Sequence, residues 1–350
     1  MPFPARSFLK KSLLAASTLL LGAPALAEEA SASLNNPFVC RRPSGVAGTM
    51  TEFNLATEEA GPASITVGPD RNLWFTQTGS GTIGRVTREG VVTEFPLLTE
   101  YSIPQKLTLG FDGNLWFTQL GVDQVGRITP QGVVTEFPLP NPGSAPYGIA
   151  AGLDGNLWFT QVAGNRLGRI TPSGTVTQFD LPTPEAQPTA IALGAEGKLW
   201  FTELRGNKVG TITTDGVITE YALPTANAGP SSIAIGWDGA MWFTEQFAGK
   251  IGRISASGTV TEYALPDASS APVDLTPGPD GALWFVELRG NKVGRITLNG
   301  TITEYAIPTD SSQPAGIVFA PPGFFCLDAH LWFTERAGNK LGRIRAVTVP

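Results

Sequence analysis

The feature that most constrains this chain is a short motif that recurs seven times. It reads Leu73-Trp74-Phe75-Thr76-Gln77 at its first occurrence. Its tryptophan returns at Trp116, Trp158, Trp200, Trp242, Trp284 and Trp332. The first six tryptophans are spaced by 42 residues, and the seventh follows after 48. Because self-similar units of about 40 residues build one closed or stacked body, the 350 residues are expected to form one repeat structure.

Each unit divides into four short strands, here named a to d. In the third unit they are Tyr147–Ala151, Leu157–Gln161, Arg166–Thr171 and Thr175–Phe179. The pairs between them are Asp154-Gly155, Gly164-Asn165 and Ser173-Gly174. Such pairs tolerate the positive φ that tight hairpins need. Seven units of four antiparallel strands predict an all-β, seven-bladed β-propeller. A β-solenoid is the main alternative, although its shorter coils would not need three hairpin turns per unit.

The ends of the chain predict how the ring closes. The last unit stops after strand c, whereas Gly48–Leu55 resembles an isolated strand d. We therefore expect this N-terminal strand to complete the last blade. The predicted organisation is a signal peptide at 1–27, a linker at 28–47 and the propeller at 48–350.

The first 27 residues have the pattern of an export signal. Arg6, Lys10 and Lys11 precede an apolar stretch, and Ala25-Leu26-Ala27 is a small-residue cleavage site. Cleavage after Ala27 predicts a periplasmic or secreted protein and moves the formal net charge from −6 to −9. That charge disfavours nucleic acid and anionic membrane surfaces as partners. No later stretch is apolar enough for membrane insertion, and we expect a monomer.

Two cysteines, Cys40 and Cys326, would meet an oxidising compartment after export. Cys40 precedes the strand that closes the last blade. Cys326 lies in the a–b connection of that blade, where the extra residues of the last unit are found. Both are expected on one face of one blade, which predicts a disulfide. Two unpaired structural cysteines are the alternative.

Features that every blade repeats are assigned to the scaffold. The seven tryptophans are expected to fill the gaps between stacked blades, whereas the eighth, Trp237, lies in a turn. Strand b ends in a polar ring formed by Gln77, Gln119, Gln161, Glu203, Glu245, Glu287 and Glu335. Its four carboxylates could bind a cation or raise one another's pKa. The alternative is that each hydrogen-bonds nearby backbone or the neighbouring blade.

Function is expected where the repeats differ. The first two residues of strand a follow a proline at the central mouth and vary between units. Lys106, Tyr147 and Asp274 stand out there, and Lys106 and Asp274 could pair across the channel or form part of a ligand site. The only histidine, His330, is expected at the opposite end of strand b, where it replaces a turn asparagine.

The stretch Gly278–Glu287, followed by Gly290–Thr297, resembles the streptogramin B lyase (virginiamycin B lyase) family. The resemblance covers about residues 48 to 345 and implies a seven-bladed propeller. It also implies Mg²⁺-assisted elimination that linearises a cyclic depsipeptide. The positions at which the family carries its catalytic histidines and glutamates are Val273, Ala315, Gln313 and Arg336 here. Valine, alanine and arginine supply neither the base nor the metal ligand that an elimination needs.

The sequence therefore predicts an exported propeller that binds a small molecule, glycan, peptide or protein partner at its mouth. The predicted ligand-binding residues are Gln105, Lys106, Tyr147, Thr189, Asp274, Gln313 and Arg336. The alternative is a metal-dependent lyase or hydrolase acting on a lactone, glycan or cyclic ester, with Lys106, Asp274, Glu287 and Glu335 as candidate catalytic residues. Mg²⁺ is implied only by the resemblance. A purely structural envelope or matrix protein is a third possibility.

Overall fold

A computed structural model describes residues 46–87, 89–320 and 330–346. Within these ranges the chain forms seven antiparallel sheets of four strands each. The first strand of each sheet contacts the first strand of the next, and the first strand of the last sheet contacts that of the first. The ring is therefore closed, which confirms the prediction of an all-β, seven-bladed propeller.

The strands follow the order a, b, c, d in every blade. Blade 1 contains β2 (Pro62–Val67), β3 (Leu73–Gln77), β4 (Thr82–Val86) and β5 (Val92–Pro96). Blade 2 contains β6 (Pro104–Leu109), β7 (Leu115–Gln119), β8 (Gln124–Ile128) and β9 (Val134–Pro138), with a 3-10 turn at Leu120–Val122. Blade 3 contains β10 (Pro146–Ala151), β11 (Leu157–Gln161), β12 (Arg166–Ile170) and β13 (Val176–Asp180). Blade 4 contains β14 (Pro188–Leu193), β15 (Leu199–Glu203), β16 (Lys208–Ile212) and β17 (Ile218–Ala222).

The remaining blades repeat this plan. Blade 5 contains β18 (Pro230–Ile235), β19 (Met241–Glu245), β20 (Lys250–Ile254) and β21 (Val260–Ala264). Blade 6 contains β22 (Pro272–Pro277), β23 (Leu283–Glu287), β24 (Lys292–Ile296) and β25 (Ile302–Ala306). Blade 7 contains β26 (Pro314–Ala320), β27 (His330–Glu335), β28 (Lys340–Arg345) and the N-terminal β1 (Met50–Asn54).

The N-terminal strand closes the last blade as predicted. β1 pairs antiparallel with β28, so that Met50 faces Ile344 and Asn54 faces Lys340. Because strand d of blade 7 comes from the opposite end of the chain, hydrogen bonds rather than a hairpin complete the ring. Cys40 and Cys326, like the predicted signal peptide and most of the linker, lie outside the described residues. The disulfide therefore stays a prediction.

The predicted turn residues adopt the backbone conformation that was expected of them. In blade 3 the turns carry positive φ at Gly155 (78°), Asn165 (53°) and Gly174 (95°). Four or five residues separate the paired strands in this blade, and hairpin loops of this length commonly combine a type I turn with one residue in the left-handed region. The turn chemistry thus determines where each strand ends.

The recurring tryptophan packs between blades, as its repetition predicts. Trp158 is fully buried in a cluster with Leu199 and Phe201 of the next blade. Its ring stacks on Phe179 of strand d with 5.3 Å between centroids, and its indole N–H donates to Asp154 at 3.2 Å. Burial of the ring and a partner for its one polar atom together make Trp158 part of the scaffold.

A strand c glycine makes room for the phenylalanine of the same motif. Gly168 faces Phe159 across β11 and β12, and a Cβ at Gly168 would lie 2.1 Å from the ring. The Trp-Phe motif and the glycine of strand c are therefore two halves of one packing arrangement.

The far face of the disc carries the residues that were predicted to lie away from the mouth. His330 begins β27 opposite Ala320, whereas Pro314 faces Glu335 at the other end of the same pair of strands. Trp237 is exposed, and its indole N–H donates to the Gly278 carbonyl of blade 6 at 2.8 Å. Within the described part of the chain, no helix has the length and hydrophobicity to cross a bilayer.

Candidate functional site

The mouth of the propeller lies where each strand a begins and each strand b ends. In blade 3, Pro146 faces Gln161 and Ile149 faces Phe159, so that two residues of strand a lie opposite the single residue Thr160. This two-against-one arrangement is a β-bulge, a device that often re-aims side chains near functional sites. The two variable positions of each strand a, including Lys106 and Tyr147, lie in these bulges.

Lys106 and Asp274 form an ion pair that spans the mouth. The Lys106 ammonium lies 3.0 Å from a carboxylate oxygen of Asp274, which joins blade 2 to blade 6. Only 19% of the Lys106 side chain and 12% of the Asp274 side chain are exposed. Attraction between two charges strengthens as water is excluded, so this pair is more than a surface contact.

Asp274 also connects its two neighbouring blades. Its Oδ1 accepts a hydrogen bond from the Ser232 hydroxyl of blade 5 at 2.7 Å. Its Oδ2 accepts one from the Ile317 N–H of blade 7 at 3.2 Å. The carboxylate is thus held by three blades besides its own, and its orientation is fixed before any ligand arrives.

Val286 accompanies Asp274, and the sequence analysis missed it. In blade 3 the Thr160 hydroxyl accepts from the Gly148 N–H and donates to the Thr189 carbonyl of blade 4, both at 2.8 Å. Blade 6 has Val286 at the place of this threonine, directly opposite Asp274. The signal was visible in the sequence, because this motif alone reads Leu-Trp-Phe-Val-Glu. In blade 6 a carboxylate therefore replaces a hydroxyl as the link between blades.

The other residues at the position of Lys106 are small. They are Ser64, Gly148, Ala190, Ser232 and Gly316, with Asp274 in blade 6. A Cβ at Gly148 would lie 2.3 Å from the Thr189 carbonyl oxygen, and one at Gly316 would lie 2.5 Å from that of Ala63. Neighbouring strands approach closely here, and Lys106 is the one long side chain that crosses the channel at this level.

The remaining predicted ligand residues surround this pair at different depths. Gln105 and Tyr147 are half-buried, and Thr189 is buried with its hydroxyl 2.9 Å from that of Thr202. Gln313 and Arg336 are exposed on blade 7, where the Arg336 N–H donates to the Gln313 carbonyl at 3.1 Å. The structure thus places Gln105, Tyr147 and Thr189 in the bulges, and Gln313 and Arg336 on the outer edge of the mouth.

The strand b carboxylates occupy buried positions beneath the b–c turns. Glu203, Glu245, Glu287 and Glu335 are fully buried. The carboxylate that interacts with each of them is a glutamate of strand d, the outermost strand: Glu220, Glu262, Glu304 and Glu52, respectively. A Cβ at Gly290 of the b–c turn would lie 2.5 Å from Glu287 Oε2. The candidate catalytic residues Glu287 and Glu335 therefore belong to this buried set.

Burial perturbs these carboxyl groups strongly. Desolvation, and secondly the neighbouring Glu262, raise the pKa of Glu245 to about 8, against the lowering effect of Lys250. Desolvation and Glu220 likewise raise the pKa of Glu203 to about 8. For Glu287 and Glu335, desolvation and the strand d carboxylate raise the pKa to about 7. The pKa of all four carboxyl groups is raised towards neutral pH because water cannot solvate the charged form in the protein interior.

The first two blades show what the strand b residue does for strand d. The Gln77 amide donates to Glu94 at 2.8 Å, and the Gln119 amide donates to Glu136 at the same distance. A glutamate at this place can donate only when it is protonated. In blades 4 to 7 a lysine at the start of strand c also binds the strand d carboxylate, at 2.6–3.0 Å. The lysine and the strand d glutamate thereby tie strands c and d together, and the strand b glutamate lies buried beside them.

The Mg²⁺ implied by the resemblance does not fit the described mouth. Within the described ranges, no group of three or more histidine, cysteine, aspartate or glutamate residues could hold a metal ion. Val273 and Ala315 offer no donor side chain, and both oxygens of Asp274 already accept hydrogen bonds from protein groups. A divalent ion prefers several free oxygen ligands at one point, and this arrangement does not supply them.

Comparison with known proteins agrees with the repeat and the fold. A model of the virginiamycin B lyase family matches residues 42–235 and 154–349. A streptogramin B lyase structure has 39% sequence identity and a TM-score of 0.80, covering 85% of this chain and 97% of that chain. A structure of a catalytically inactive histidine-to-alanine variant of virginiamycin B lyase from Staphylococcus aureus with quinupristin has 40% identity and a TM-score of 0.81, covering 85% and 99%.

More distant structures share the fold alone. One is the extracellular domain of a hybrid two-component system from B. thetaiotaomicron, with 12% identity and a TM-score of 0.66, covering 84% of this chain and 42% of that chain. No curated protein matches the chain. The family model spans nearly the whole propeller, and the solved lyases share about two-fifths of its residues over the same length. On these matches and on its seven closed blades, the chain belongs to the virginiamycin B lyase family.

Proposed function

We propose that this protein binds a small, polar, uncharged ligand at its central mouth, with Lys106 and Asp274 as the central contacts. The observation that carries this proposal is the buried ion pair between these residues at 3.0 Å. A repeat scaffold does not need a lysine here, because five other blades have serine, glycine or alanine at the same position. A long charged side chain in the channel of such a scaffold favours recognition over packing.

The chemistry of the pair indicates the ligand class. An ammonium group has three N–H donors, and within the described residues the Lys106 ammonium forms one ion pair, with Asp274. The remaining donors suit hydroxyl or carbonyl oxygens of a ligand. The pair is neutral as a whole, so a charged ligand would leave one charge uncompensated in a site that is mostly closed to water. A sugar, or a short peptide without charged groups, meets these conditions, with Tyr147 and Gln105 beside it.

A metal-dependent lyase or hydrolase is the alternative. Its support is that the similar solved structures are those of streptogramin B and virginiamycin B lyases. The positions that the resemblance assigns to the base and to the metal ligands are Val273, Ala315, Gln313 and Arg336. Removal of one histidine is described as inactivating in a virginiamycin B lyase, and none of these four positions holds a histidine. The residue types therefore favour binding without the family's elimination reaction.

The decisive experiment is a binding titration beside a turnover assay. Calorimetric titration of the mature protein with neutral oligosaccharides and short peptides should give saturable binding, and Lys106→Ala and Asp274→Ala should weaken it by about tenfold or more. Lys198→Ala is the matched control, because Lys198 pairs with Glu196 in a turn of the far face. Linearisation of a cyclic depsipeptide with Mg²⁺, unaffected by Lys106→Ala, would overturn the proposal.

We further propose that the chain is exported to the periplasm or secreted, with the signal cleaved after Ala27 and Cys40 bonded to Cys326. The support is the order of positive, apolar and small residues in 1–27 and the predicted location of both cysteines at blade 7. Mass spectrometry of the exported protein should find the N-terminus at Glu28 and no free thiol. Light scattering should find a monomer.

A further inference from the structure

Blade 5 lacks the asparagine with which most blades end the turn that joins strands b and c. Four of the six other turns end in Gly-Asn. In blade 4 the Asn207 side chain donates to the Thr225 carbonyl at 2.9 Å and accepts from the Ala228 N–H at 2.7 Å. The asparagine thereby holds the connection that leads to the next blade. In blade 5 its place is taken by Gly249, with φ of 60°.

The connection between blades 5 and 6 occupies the space that this glycine leaves. A Cβ at Gly249 would lie 2.2 Å from the Ala268 carbonyl oxygen. In the connections that lead into blades 4 and 5, this place is held by a threonine, whereas here it is Asp267. The Asp267 carboxylate accepts hydrogen bonds from the Ser269 hydroxyl at 2.6 Å and from the Ser269 N–H at 2.8 Å. The path of the connection is therefore different here, and a cleft of about 130 Å³ remains between the turns of blades 5 and 6.

An aromatic ring and a guanidinium group line this cleft. Its lining is formed by Gln246, Phe247, Ala268, Ser269, Ala271 and Arg289. Phe247 is 55% exposed, although glycine, alanine or arginine stands at its place in the other blades. Its ring rests on Gly229, where a Cβ would lie 2.4 Å from the ring. The exposed face of the ring is thus presented in a defined position.

Arg289 gives the cleft a positive charge. It lies at the same place in the turn of blade 6 as Phe247 does in blade 5. Within the described residues its guanidinium has no carboxylate partner, whereas Arg253 and Arg295 on strand c pair with aspartates. Asp267 is the acidic residue of the adjacent connection, and its carboxylate is engaged by Ser269. An unpaired guanidinium suits bidentate binding of a carboxylate.

We propose that this cleft is a second ligand site, which binds a small molecule that joins a ring-sized apolar group to a carboxylate. The cleft of about 130 Å³ is slightly smaller than the cavity of about 150 Å³ that accepts benzene, and because it is open on one side it can cover one face of an aromatic ring. Stacking on Phe247 and a charge-assisted contact with Arg289 would hold the two halves of such a ligand. The site lies on the mouth face but does not involve Lys106 or Asp274, and its existence does not rest on the function proposed for them.

The test is a titration of the mature protein with phenylacetate, followed by calorimetry and by NMR of the ligand. We expect saturable binding that is at least about tenfold tighter than that of phenylacetamide, which has the same shape without the charge. Phe247→Ala and Arg289→Gln should each weaken binding by about tenfold. Phe247→Tyr keeps the aromatic ring and should bind phenylacetate as wild type does. This variant separates the loss of stacking in Phe247→Ala from misfolding.

Arg205→Gln is the matched control, because Arg205 has the same place in blade 4 and its Nε donates to Gln187 at 3.3 Å. This variant and Lys106→Ala should leave the phenylacetate affinity within about twofold of wild type. The proposal is overturned if phenylacetate does not saturate, if phenylacetamide binds equally well, or if Arg205→Gln weakens binding as much as Arg289→Gln. Loss of phenylacetate binding in Lys106→Ala would also overturn it, by assigning the ligand to the central mouth.

Discussion

Lys106 of blade 2 and Asp274 of blade 6 meet at 3.0 Å across the mouth of the propeller. The same carboxylate accepts hydrogen bonds from Ser232 of blade 5 and from the backbone of Ile317 in blade 7. The pair therefore has two separable roles. Asp274 organises three adjacent blades, whereas Lys106 reaches it from the opposite side of the ring.

These roles predict unequal costs of removing each partner. Asp274→Ala leaves the Lys106 ammonium, the Ser232 hydroxyl and the Ile317 N–H without an acceptor, and should lower the free energy of unfolding by about 3 kcal/mol. Lys106→Ala leaves Asp274 with two hydrogen bonds and should cost about 1–2 kcal/mol. Urea unfolding of the two single variants and the double variant measures the coupling between them. Equal costs for both single variants would contradict this assignment.

Glu245 predicts a stability that falls as the pH rises. Its folded-state pKa is about 8 against the usual 4.5, so the folded protein retains a proton that the unfolded chain releases. The resulting stabilisation is complete below pH 4.5 and is lost as the pH rises through 8. Glu203, Glu287 and Glu335 should act in the same direction, because burial raises the pKa of each.

Glutamine is the natural test of this role, because Gln77 and Gln119 already stand at the same place. Glu245→Gln should match wild type at pH 5 and exceed its stability at pH 8, when unfolding by urea is measured at both values. The converse change, Gln77→Glu, is the control. Blade 1 has Thr82 in place of the strand c lysine, so Gln77→Glu should be destabilising at pH 8. A Glu245→Gln variant with an unchanged pH profile would contradict the prediction.

The contacts of Glu52 help to hold β1 in blade 7 and so to close the ring. Lys340 lies 3.0 Å from its carboxylate, and Thr309 donates to it from N–H and hydroxyl at 3.0 and 2.9 Å. Although burial opposes it, hydrogen bonds from Lys340 and Thr309 hold the pKa of Glu52 below its usual value. The sign is opposite to that of Glu245: the stabilisation is present above pH 4.5 and is lost as the pH falls through the lowered pKa.

Glu52→Gln should therefore cost about 1–2 kcal/mol at pH 7 and speed hydrogen exchange in β1. Glu220→Gln in blade 4 is the matched control, because Lys208 and Thr183 bind Glu220 in the same way. It should have a similar cost without local opening, since β17 is continuous with β16 through a hairpin. Equal rates of hydrogen exchange in β1 and β17 after the two changes would contradict this prediction. They would show that β1 is held in its blade as firmly as a strand d that a hairpin joins to strand c.

The fold was predictable because its determinants are local and repeated seven times. Each described hairpin has a residue with positive φ, and in most of them it is glycine or asparagine, as at Gly155 and Asn165; Arg71 and Asp123 are the exceptions. Closure by β1 was also predictable. The N-terminal segment resembles strand d of a repeat whose other strands are missing, and the last repeat lacks its strand d. What repeats in every blade could be assigned to packing, and Trp158 is buried as that reasoning requires.

The candidate site was predictable only in part. Lys106 and Asp274 were identified as departures from the repeat, but the direction of the Glu287 side chain was not predictable from its place at the end of strand b. Its interaction with Glu304 of strand d is a contact between strands that no local pattern contains. Phe247 and Gly249 were not identified from the sequence. Gly249 makes room for the connection between blades 5 and 6, which lies outside the turn that contains both residues.

Val286 gives the last prediction, because it marks the blade in which a carboxylate has replaced a hydroxyl. Thr160→Val removes the acceptor of the Gly148 N–H and the donor to the Thr189 carbonyl, and should cost about 2 kcal/mol since both groups are left buried and unpaired. Val286→Thr should change stability by less than about 1 kcal/mol, because Asp274 already joins blade 6 to its neighbours and offers the new hydroxyl an acceptor. Urea unfolding of both variants measures the difference. A cost for Val286→Thr as large as that for Thr160→Val would mean that Asp274 and a threonine hydroxyl compete for one position, and that blade 6 is built to exclude the hydroxyl.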